Sequence, residues 1–319
     1  MVRLADLGEK AVVASILAGI KSTAAVGPGD DAAAVEVGDK YVVASSDLVS
    51  RIAHLPKGMT DWQIGWFAAA VNLSDIAAMG ARPLGLLLSF CLPRDTYAAD
   101  LERMVRGAQD CAESVGTEIL GGDTKEGEQM VIAGTALGVV DKDRIILRRG
   151  AREGDLLAVT GTMGLAAAGY QAAAKGAFAP SAVKALLEPT PRIKEGMALA
   201  STGAVTSGMD VTDGLAYSVH ELSRQSGVKF RVHWESIPVD DTVKRVADKT
   251  RTRVEDLVLY YGGDYELLFT IRPEMLEKVR EAVGDAFTVI GKVDGDENVL
   301  IREGEVVTLE PRGYEHFKG

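Results

Sequence analysis

Features of redox, secreted and membrane proteins are almost absent from this 319-residue sequence. Only two cysteines occur, Cys91 and Cys111, and neither belongs to a Cys-x-x-Cys pair that could form a redox motif or hold zinc. Cys111 continues the apolar stripe of a predicted helix, so we expect a buried thiol. The longest apolar stretch, 84–92, is far shorter than the ~20 residues of a membrane span. The N-terminus, with Asp6 and Glu9 among its apolar residues, lacks the pattern of a signal peptide, and a cytoplasmic protein is expected.

Clusters of basic residues are also scarce. The sequence has 35 Lys and Arg against 46 Asp and Glu, a formal net charge of −11, and its longest basic run is Arg148-Arg149. Binding a long nucleic-acid backbone requires clustered positive charge, so no nucleic-acid partner is expected. The 47% of hydrophobic residues exclude a disordered chain. If the protein handles phosphates, something other than its net charge must attract them.

Several familiar catalytic motifs are missing. No G-x-x-x-x-G-K-[ST] is present, which excludes a P-loop, and no protein-kinase series of Gly-rich loop, strand lysine and H-R-D can be assembled. His220-Glu221 does not continue into H-E-x-x-H, and no G-x-S-x-G nucleophile elbow occurs. The four histidines are scattered along the sequence. A lone histidine is more often structural than catalytic.

Patterns of apolar residues divide the chain near residue 150. The first half predicts a β/α mixture with its helices on one face of a sheet, and the basic, turn-rich stretch 147–154 is typical of an interdomain loop. We predict strands over 40–45, 84–92, 118–120 and 130–140, and helices over 61–79 and 97–115. In the second half we predict strands over 155–160, 229–234, 266–271 and 287–293, and helices over 165–175, 273–283 and the residues after Asp213. The domains are predicted over 1–148 and 149–319.

Aspartates stand out by their setting. They follow glycines at turns or strand ends, precede a helix, or, in the case of Asp75, interrupt an otherwise apolar helix where an unpaired carboxylate is expensive. Each has an ordinary alternative as a turn residue, a helix cap or a solvent-facing side chain. Taken together, carboxylates beside glycines that admit a ligand fit a site for hard divalent cations. The set is Asp30, Asp31, Asp47, Asp75, Asp123, Asp210 and Asp213, with Asp31 the least certain direct ligand.

A series of motifs resembles, in the same order, those of the thiamine-monophosphate kinase family. The series extends over nearly the whole chain, and NLSDIAAMG at 72–80 is its most specific part. The other motifs are GDDA at 29–32, SD at 46–47, GGDT at 121–124, DVTDG at 210–214, DYEL at 264–267 and GYEHF at 313–317. The resemblance implies the two-domain fold of aminoimidazole ribonucleotide synthetase, with an N-terminal α/β domain that binds metal and ATP and pairs its sheet in a homodimer, and a C-terminal α+β domain.

The resemblance also implies an activity and its residues. The reaction is Mg²⁺-assisted transfer of the ATP γ-phosphoryl group to thiamine phosphate, which we expect to be direct and in line, with several Mg²⁺ ions bound. Metal-site residues would be Asp30, Ser45, Ser46, Asp47, Asp75, Asp123, Asp210 and Asp213, of which Asp47, Asp75, Asp123 and Asp210 are the catalytic candidates. Nucleotide contacts would come from Gly122, Asp123, Arg148 and Thr212, and thiamine-phosphate contacts from His54 and Tyr314.

Two departures from the family pattern lie on the acceptor side. The family reads L-V-E-G-x-H-F where this chain has LVSRIAHL at 48–55, and Gly263 replaces a substrate-contacting glutamate. Two alternatives therefore stay open: another ATP-using enzyme of the superfamily with a different acceptor, or a non-catalytic Mg–nucleotide-binding dimer. The glycine turn 161–164 before a helix could hold a phosphate, although a plain tight turn is the favoured interpretation.

Overall fold

Two mixed β-sheets, one in each half of the chain, carry the helices. The computed structural model describes residues 2–318. The first sheet has the strand order β1-β2-β6-β4-β5, with β3 also paired to β6, and only the β4–β5 pair is parallel. Its strands are β1 (Ala33–Val37), β2 (Lys40–Ser45), β3 (Leu48–Ser50), β4 (Arg82–Leu92), β5 (Ile119–Glu126) and β6 (Val131–Asp141).

The helices of the first half are α1 (Leu4–Leu7), α2 (Glu9–Leu17), α3 (Asp61–Ala78) and α4 (Ala98–Ser114). A capping box starts α3: the Thr60 side chain accepts from the Gln63 backbone N–H at 3.2 Å, and the Gln63 side chain accepts from the Thr60 N–H at 3.0 Å. Helices α3 and α4 pack closely because Gly65 has no Cβ, which would lie 1.7 Å from the Met104 carbonyl oxygen. Both helices were predicted from the sequence to within two residues.

The second sheet has the order β13-β12-β9-β11-β7-β10-β8, antiparallel except for β12–β9. Its strands are β7 (Leu156–Thr160), β8 (Val205–Asp210), β9 (Phe230–His233), β10 (Leu267–Ile271), β11 (Phe287–Val293), β12 (Val299–Arg302) and β13 (Glu305–Thr308). Its α-helices are α5 (Leu165–Lys175), α6 (Pro180–Leu187), α7 (Ile193–Thr202), α8 (Leu215–Ser226), α9 (Asp241–Thr250) and α10 (Leu276–Val283), and a π-helix covers Asp256–Tyr260. Antiparallel pairing with helices between strands is the α+β arrangement that was predicted.

The two halves share a core along α3. This helix is almost entirely buried, and the apolar cluster around it includes Ile193 and Leu199 of α7 and Phe269 of β10. The segment that connects the two sheets is hydrogen-bonded to the second sheet, since the Leu147 carbonyl accepts from the Gly208 N–H of β8 at 2.9 Å. Because α3 lies between the halves, its polar residues can reach elements of both.

Two predicted elements differ in extent or type from those observed. The strand predicted over 118–120 continues to Glu126, and the helix predicted over 273–283 begins as a 3₁₀ turn, Pro273–Met275. Cys111 is fully buried as predicted, and burial raises the pKa of its thiol. Among residues 2–318, no helix combines the length and apolar character needed to cross a bilayer.

Candidate active site

A polar cleft of about 640 Å³ lies where α3, the ends of β2 and β8, helix α2 and the C-terminal segment meet. Most of the residues that the sequence singled out line it. These are Asp30, Asp31, Ser45, Ser46, Asp47, His54, Asp75, Arg148, Asp210, Thr212, Asp213 and Tyr314. The structure thus brings together residues separated by up to 284 positions (30 to 314).

Three carboxylates converge at the buried end of the cleft. Asp31, Asp75 and Asp210 each present an oxygen, and these three atoms lie within 4.8 Å of one another. Asp31 Oδ2 is buried and has no hydrogen-bond partner among the described residues. Three converging carboxylates, with an unsatisfied oxygen on one of them, fit a divalent cation. Asp31, the least certain ligand on sequence grounds, is a central member of this group.

Hydrogen bonds from serine hydroxyls hold two of these carboxylates in place. Asp75 extends from α3, and Ser45 at the end of β2 donates its hydroxyl to Asp75 Oδ2. Asp210 ends β8, and Ser74 Oγ donates to Asp210 Oδ2 at 2.5 Å. Ser74, which the sequence prediction did not assign, lies directly before Asp75 in the most specific motif.

Burial and charge repulsion raise the pKa values of these carboxyl groups. Burial raises the pKa of Asp75 well above its usual range, and the charges of Asp210, Asp47 and Asp31 raise it further. Burial, followed by the charge of Asp31, raises the pKa of Asp210 to about 7. Like charges so close together are stable only when protonated or bound to cations. The donor set therefore favours a metal at neutral pH.

Asp47 and Asp30 flank this group. The Asp47 backbone N–H donates to Asn72 Oδ1 at 2.9 Å, and Asn72 Nδ2 donates to the Ala68 carbonyl at 2.9 Å, which ties the strand end to α3. The pKa of Asp47 is raised to about 6 by burial and by Asp31. Asp30 accepts from the Arg148 N–H at 3.1 Å, and burial raises its pKa to about 6.

Arg148 supplies positive charge to the same region. Its Nη2 lies 2.6 Å from Asp31 Oδ1, and its Nη1 lies 3.7 Å from Glu221 Oε1. Because Arg148 engages Oδ1 alone, Asp31 Oδ2 is left for another ligand. A guanidinium in this position can also contact an anionic oxygen in the cleft.

Residues near the two ends of the described chain close the other side of the cleft. Lys10 Nζ lies 3.4 Å from Asp213 Oδ2 and 3.0 Å from the centre of the Tyr217 ring. Glu9 and His316 also line the cleft. Lys10, Glu9 and His316 were not predicted as site residues from the sequence. The GYEHF motif marked the position of His316, but no local pattern marked the other two.

Gly122 and Asp123 lie elsewhere, on β5, and do not line the cleft. Register pairs Leu48 with Ala133, Ala133 with Ser89, and Ser89 with Asp123. Asp123 is thus three strand spacings, roughly 14 Å, from the start of β3. Its carboxylate is exposed, and a hydrogen bond from the Thr124 N–H and the nearby Lys125 lower its pKa. One copy of the chain does not bring Asp123 to the carboxylate group.

The turn 161–164 before α5 already has an anionic partner. Asp264 accepts from the Gly164 N–H at 2.8 Å and the Ala166 N–H at 3.2 Å, so its carboxylate occupies this helix N-terminus. Burial raises the pKa of Asp264 to about 7. These contacts support the interpretation of the segment as a plain tight turn. Beside it, Gly263 leaves space where the family has a glutamate, since a Cβ there would meet only the Ala166 Cβ at 3.5 Å.

Comparison with protein families defines the class. A model described as the AIR synthase related protein, N-terminal domain, matches residues 29–140. A model described as the AIR synthase related protein, C-terminal domain, matches residues 152–302. The fold is thus that of the AIR synthase related proteins, which confirms the predicted fold.

Individual relatives narrow this class. Thiamine-monophosphate kinase of Methanospirillum hungatei is 34% identical over 287 residues, covering 90% of this chain and 92% of the relative. The enzyme of the same name from Escherichia coli K12 is 34% identical over 305 residues and covers 92% of both. A solved structure described as AaThiL complexed with AMPPCP and TMP superposes with a TM-score of 0.87 at 29% identity, covering 99% of both chains. The chain belongs to the thiamine-monophosphate kinase family.

Proposed function

We propose that the cleft transfers the γ-phosphoryl group of ATP to thiamine phosphate, giving thiamine diphosphate and ADP. The observation that carries the proposal is the convergence of Asp31, Asp75 and Asp210, with one unsatisfied oxygen, in a chain that belongs to this kinase family. The solved relative is described as a complex with AMPPCP, which is an ATP analogue, and with TMP. We interpret TMP as thiamine monophosphate, the acceptor of this family. The cleft of about 640 Å³ is the space in which ATP as donor and thiamine phosphate as acceptor would meet.

Several Mg²⁺ ions are part of this proposal. Asp31, Asp75 and Asp210 would hold one ion, and further ligands would come from Asp30, Ser45, Ser46, Asp47 and Asp213, which line the same cleft. Bound Mg²⁺ would neutralise the phosphate oxygens of donor and acceptor and so reduce their mutual repulsion. This explains how a protein with a net charge of −11 can bind two phosphate compounds.

The protein's own residues position the reactants. Arg148, Thr212, His54 and Tyr314 all line the cleft. In this proposal Arg148 and Thr212 would contact the nucleotide, with the guanidinium on a phosphate oxygen, and His54 and Tyr314 would contact thiamine phosphate. A phosphate monoester has its second pKa near about 6, so the attacking oxygen is already largely deprotonated at neutral pH. No general base is needed, and direct in-line transfer without a phosphoenzyme is the proposed course.

A homodimer completes the proposal. Cross-strand pairing places Val35, Leu48 and Leu87 on the sheet face opposite α3 and α4, where they are 54%, 53% and 40% exposed. Asp123 shares this face through its pairing with Ser89. An apolar face of this kind favours sheet-to-sheet association, which would bring Gly122 and Asp123 of the partner subunit toward the cleft. A cytoplasmic location stays a prediction.

Product analysis tests the activity. Purified protein is incubated with Mg-ATP and thiamine phosphate, and ADP and thiamine diphosphate are quantified by chromatography, with chelator-treated and acceptor-free reactions as controls. Equal amounts of the two products are expected. ADP formed without thiamine diphosphate would favour a different acceptor, and nucleotide binding without turnover would favour the non-catalytic alternative.

A further inference from the structure

A continuous hydrogen-bonded chain of side chains joins the two halves of the molecule at the acceptor side of the cleft. The Ser50 backbone N–H lies 3.1 Å from His54 Nδ1, His54 Nε2 lies 3.2 Å from His316 Nε2, and His316 Nδ1 lies 3.3 Å from the Tyr314 hydroxyl. The rings meet edge to face, with centroids 5.0 Å apart for the histidines and 4.9 Å apart for Tyr314 and His316. All three rings line the cleft.

The direction of the protons along this chain follows from its first member. A backbone N–H can only donate, so His54 Nδ1 accepts, and the proton of neutral His54 is on Nε2. His54 Nε2–H then donates to His316 Nε2, which places the proton of neutral His316 on Nδ1. His316 Nδ1–H donates to the Tyr314 oxygen, and the Tyr314 O–H is left as a donor without a partner in the chain.

The backbone of His316 is fixed independently of its ring. Its N–H donates to Glu9 Oε2 at 3.1 Å, and its carbonyl accepts from the Glu9 N–H at 3.2 Å. The Lys10 N–H donates to Glu315 Oε1 at 3.3 Å. The start of α2 therefore holds the C-terminal segment in place, and the His316 ring is free to be oriented by His54 and Tyr314.

We propose that His316 is a positioning residue of the acceptor site, which links His54 to Tyr314 and directs the Tyr314 hydroxyl proton into the cleft. Tyr314 is 46% exposed, so this proton is accessible to a ligand. An acceptor phosphate offers only hydrogen-bond acceptors and matches a site whose last group is a donor. The inference rests on the proposed function, because it assigns His316 to the binding of thiamine phosphate.

Paired substitutions test the two ends of the ring separately. His316→Asn keeps an N–H near the δ position for Tyr314 but loses the acceptor for His54, whereas His316→Gln keeps an acceptor near the ε position and loses the donor to Tyr314. His316→Ala loses both. We expect the KM for thiamine phosphate to rise about tenfold in His316→Ala and His316→Gln, and less in His316→Asn, with the KM for ATP within about twofold of wild type. His233→Asn, on β9 and outside the cleft, is the matched control and should resemble wild type.

Nitrogen-15 spectra of the histidine rings provide a readout independent of activity. The expected spectrum of the wild-type protein has His54 protonated on Nε2 and His316 on Nδ1, each assigned by single substitution of the four histidines. A His54 proton on Nδ1, or a His316→Ala variant with an unchanged His54 spectrum and unchanged KM, would overturn the proposal. A wild-type protein that makes no thiamine diphosphate would instead refute the proposed function, while the spectra would still test the proton arrangement.

Discussion

The two ends of the cleft are built differently. At the carboxylate end, Asp75 extends from α3 and Asp210 ends β8, and both line the cleft, Asp210 buried and Asp75 half-buried. At the acceptor end, His54 lies in a short turn after β3, and Tyr314 and His316 lie in a segment without helix or strand. Regular elements hold two of the three converging carboxylates, whereas contacts between distant parts of the chain hold the aromatic rings.

This difference matches where the sequence departs from its family. The carboxylate motifs are retained, and both departures, the segment 48–55 and Gly263, fall at positions that the family resemblance assigns to the acceptor side. A buried group of like charges tolerates little change because each member affects the pKa of the others. A half-exposed aromatic surface has fewer such constraints. Substitutions at the two ends should therefore differ in size and in kind.

The largest effect is expected from removal of a carboxylate. Asp75→Ala and Asp47→Ala should each lower kcat by roughly 10³-fold or more, because the metal set loses a ligand or its neighbour. Both proteins should stay folded, since each change removes a buried charge that is repelled by others. Steady-state kinetics and circular dichroism measure the two outcomes.

The matched control for these variants is Asp39→Ala, an exposed aspartate in the turn between β1 and β2. Its activity should equal that of wild type. A wild-type rate in Asp75→Ala would show that the metal site is misassigned, and an unfolded Asp75→Ala would show that this carboxylate stabilises the metal-free protein.

The sequence predicted the carboxylate end better than the acceptor end. Asp75 was recognised because an aspartate within an apolar helix is costly unless bound, and the structure places it in the buried carboxylate group. The pairing of Glu9 with His316 joins positions 307 apart, and no local pattern encodes such a contact. Helices α6, α7 and α9 were also missed, since each is only 8 to 10 residues long and depends on tertiary packing. The role of Asp123 stays a prediction, because only a second copy of the chain could bring it to the cleft.

A smaller effect is expected from the support behind Asp47. The Asn72 side chain packs directly against Gly134, which has no Cβ. A Cβ at position 134 would lie 2.1 Å from Asn72 Nδ2. Gly134→Ala should displace Asn72 and with it the Asp47 backbone, so kcat should fall about 10- to 100-fold with little change in the KM for thiamine phosphate. Gly19→Ala is the control, since its Cβ would meet nothing closer than 3.5 Å. An equal loss in both variants would contradict the role of Asn72 as a support.

The smallest predicted effect is on stability, whose dependence on pH should have opposite signs for groups at the two ends of the cleft. The folded-state pKa is raised to about 7 for Asp210 and to about 6 for Asp47, above the unfolded value near about 3.9, so the folded protein binds more protons. The contribution of these two carboxyl groups to the stability of the metal-free protein should therefore be largest at low pH and fall as pH rises from about 4 to 7, by at least about 1 kcal/mol. His54 changes stability in the opposite direction. Burial lowers the pKa of its ring, so the stability that neutral His54 contributes is lost as pH falls below about 6.5.

Urea unfolding at several pH values, with and without Mg²⁺, measures both contributions. Mg²⁺ should flatten the decline in stability because it replaces protons on the carboxylates. In the metal-free protein, Asp210→Asn should weaken that decline, and His54→Gln should make it steeper between about pH 5 and 7 by removing the opposing contribution. The same slope in wild type and Asp210→Asn would mean that the carboxylate end does not control the pH response, and the contrast between the two ends would then fail for the metal-free protein.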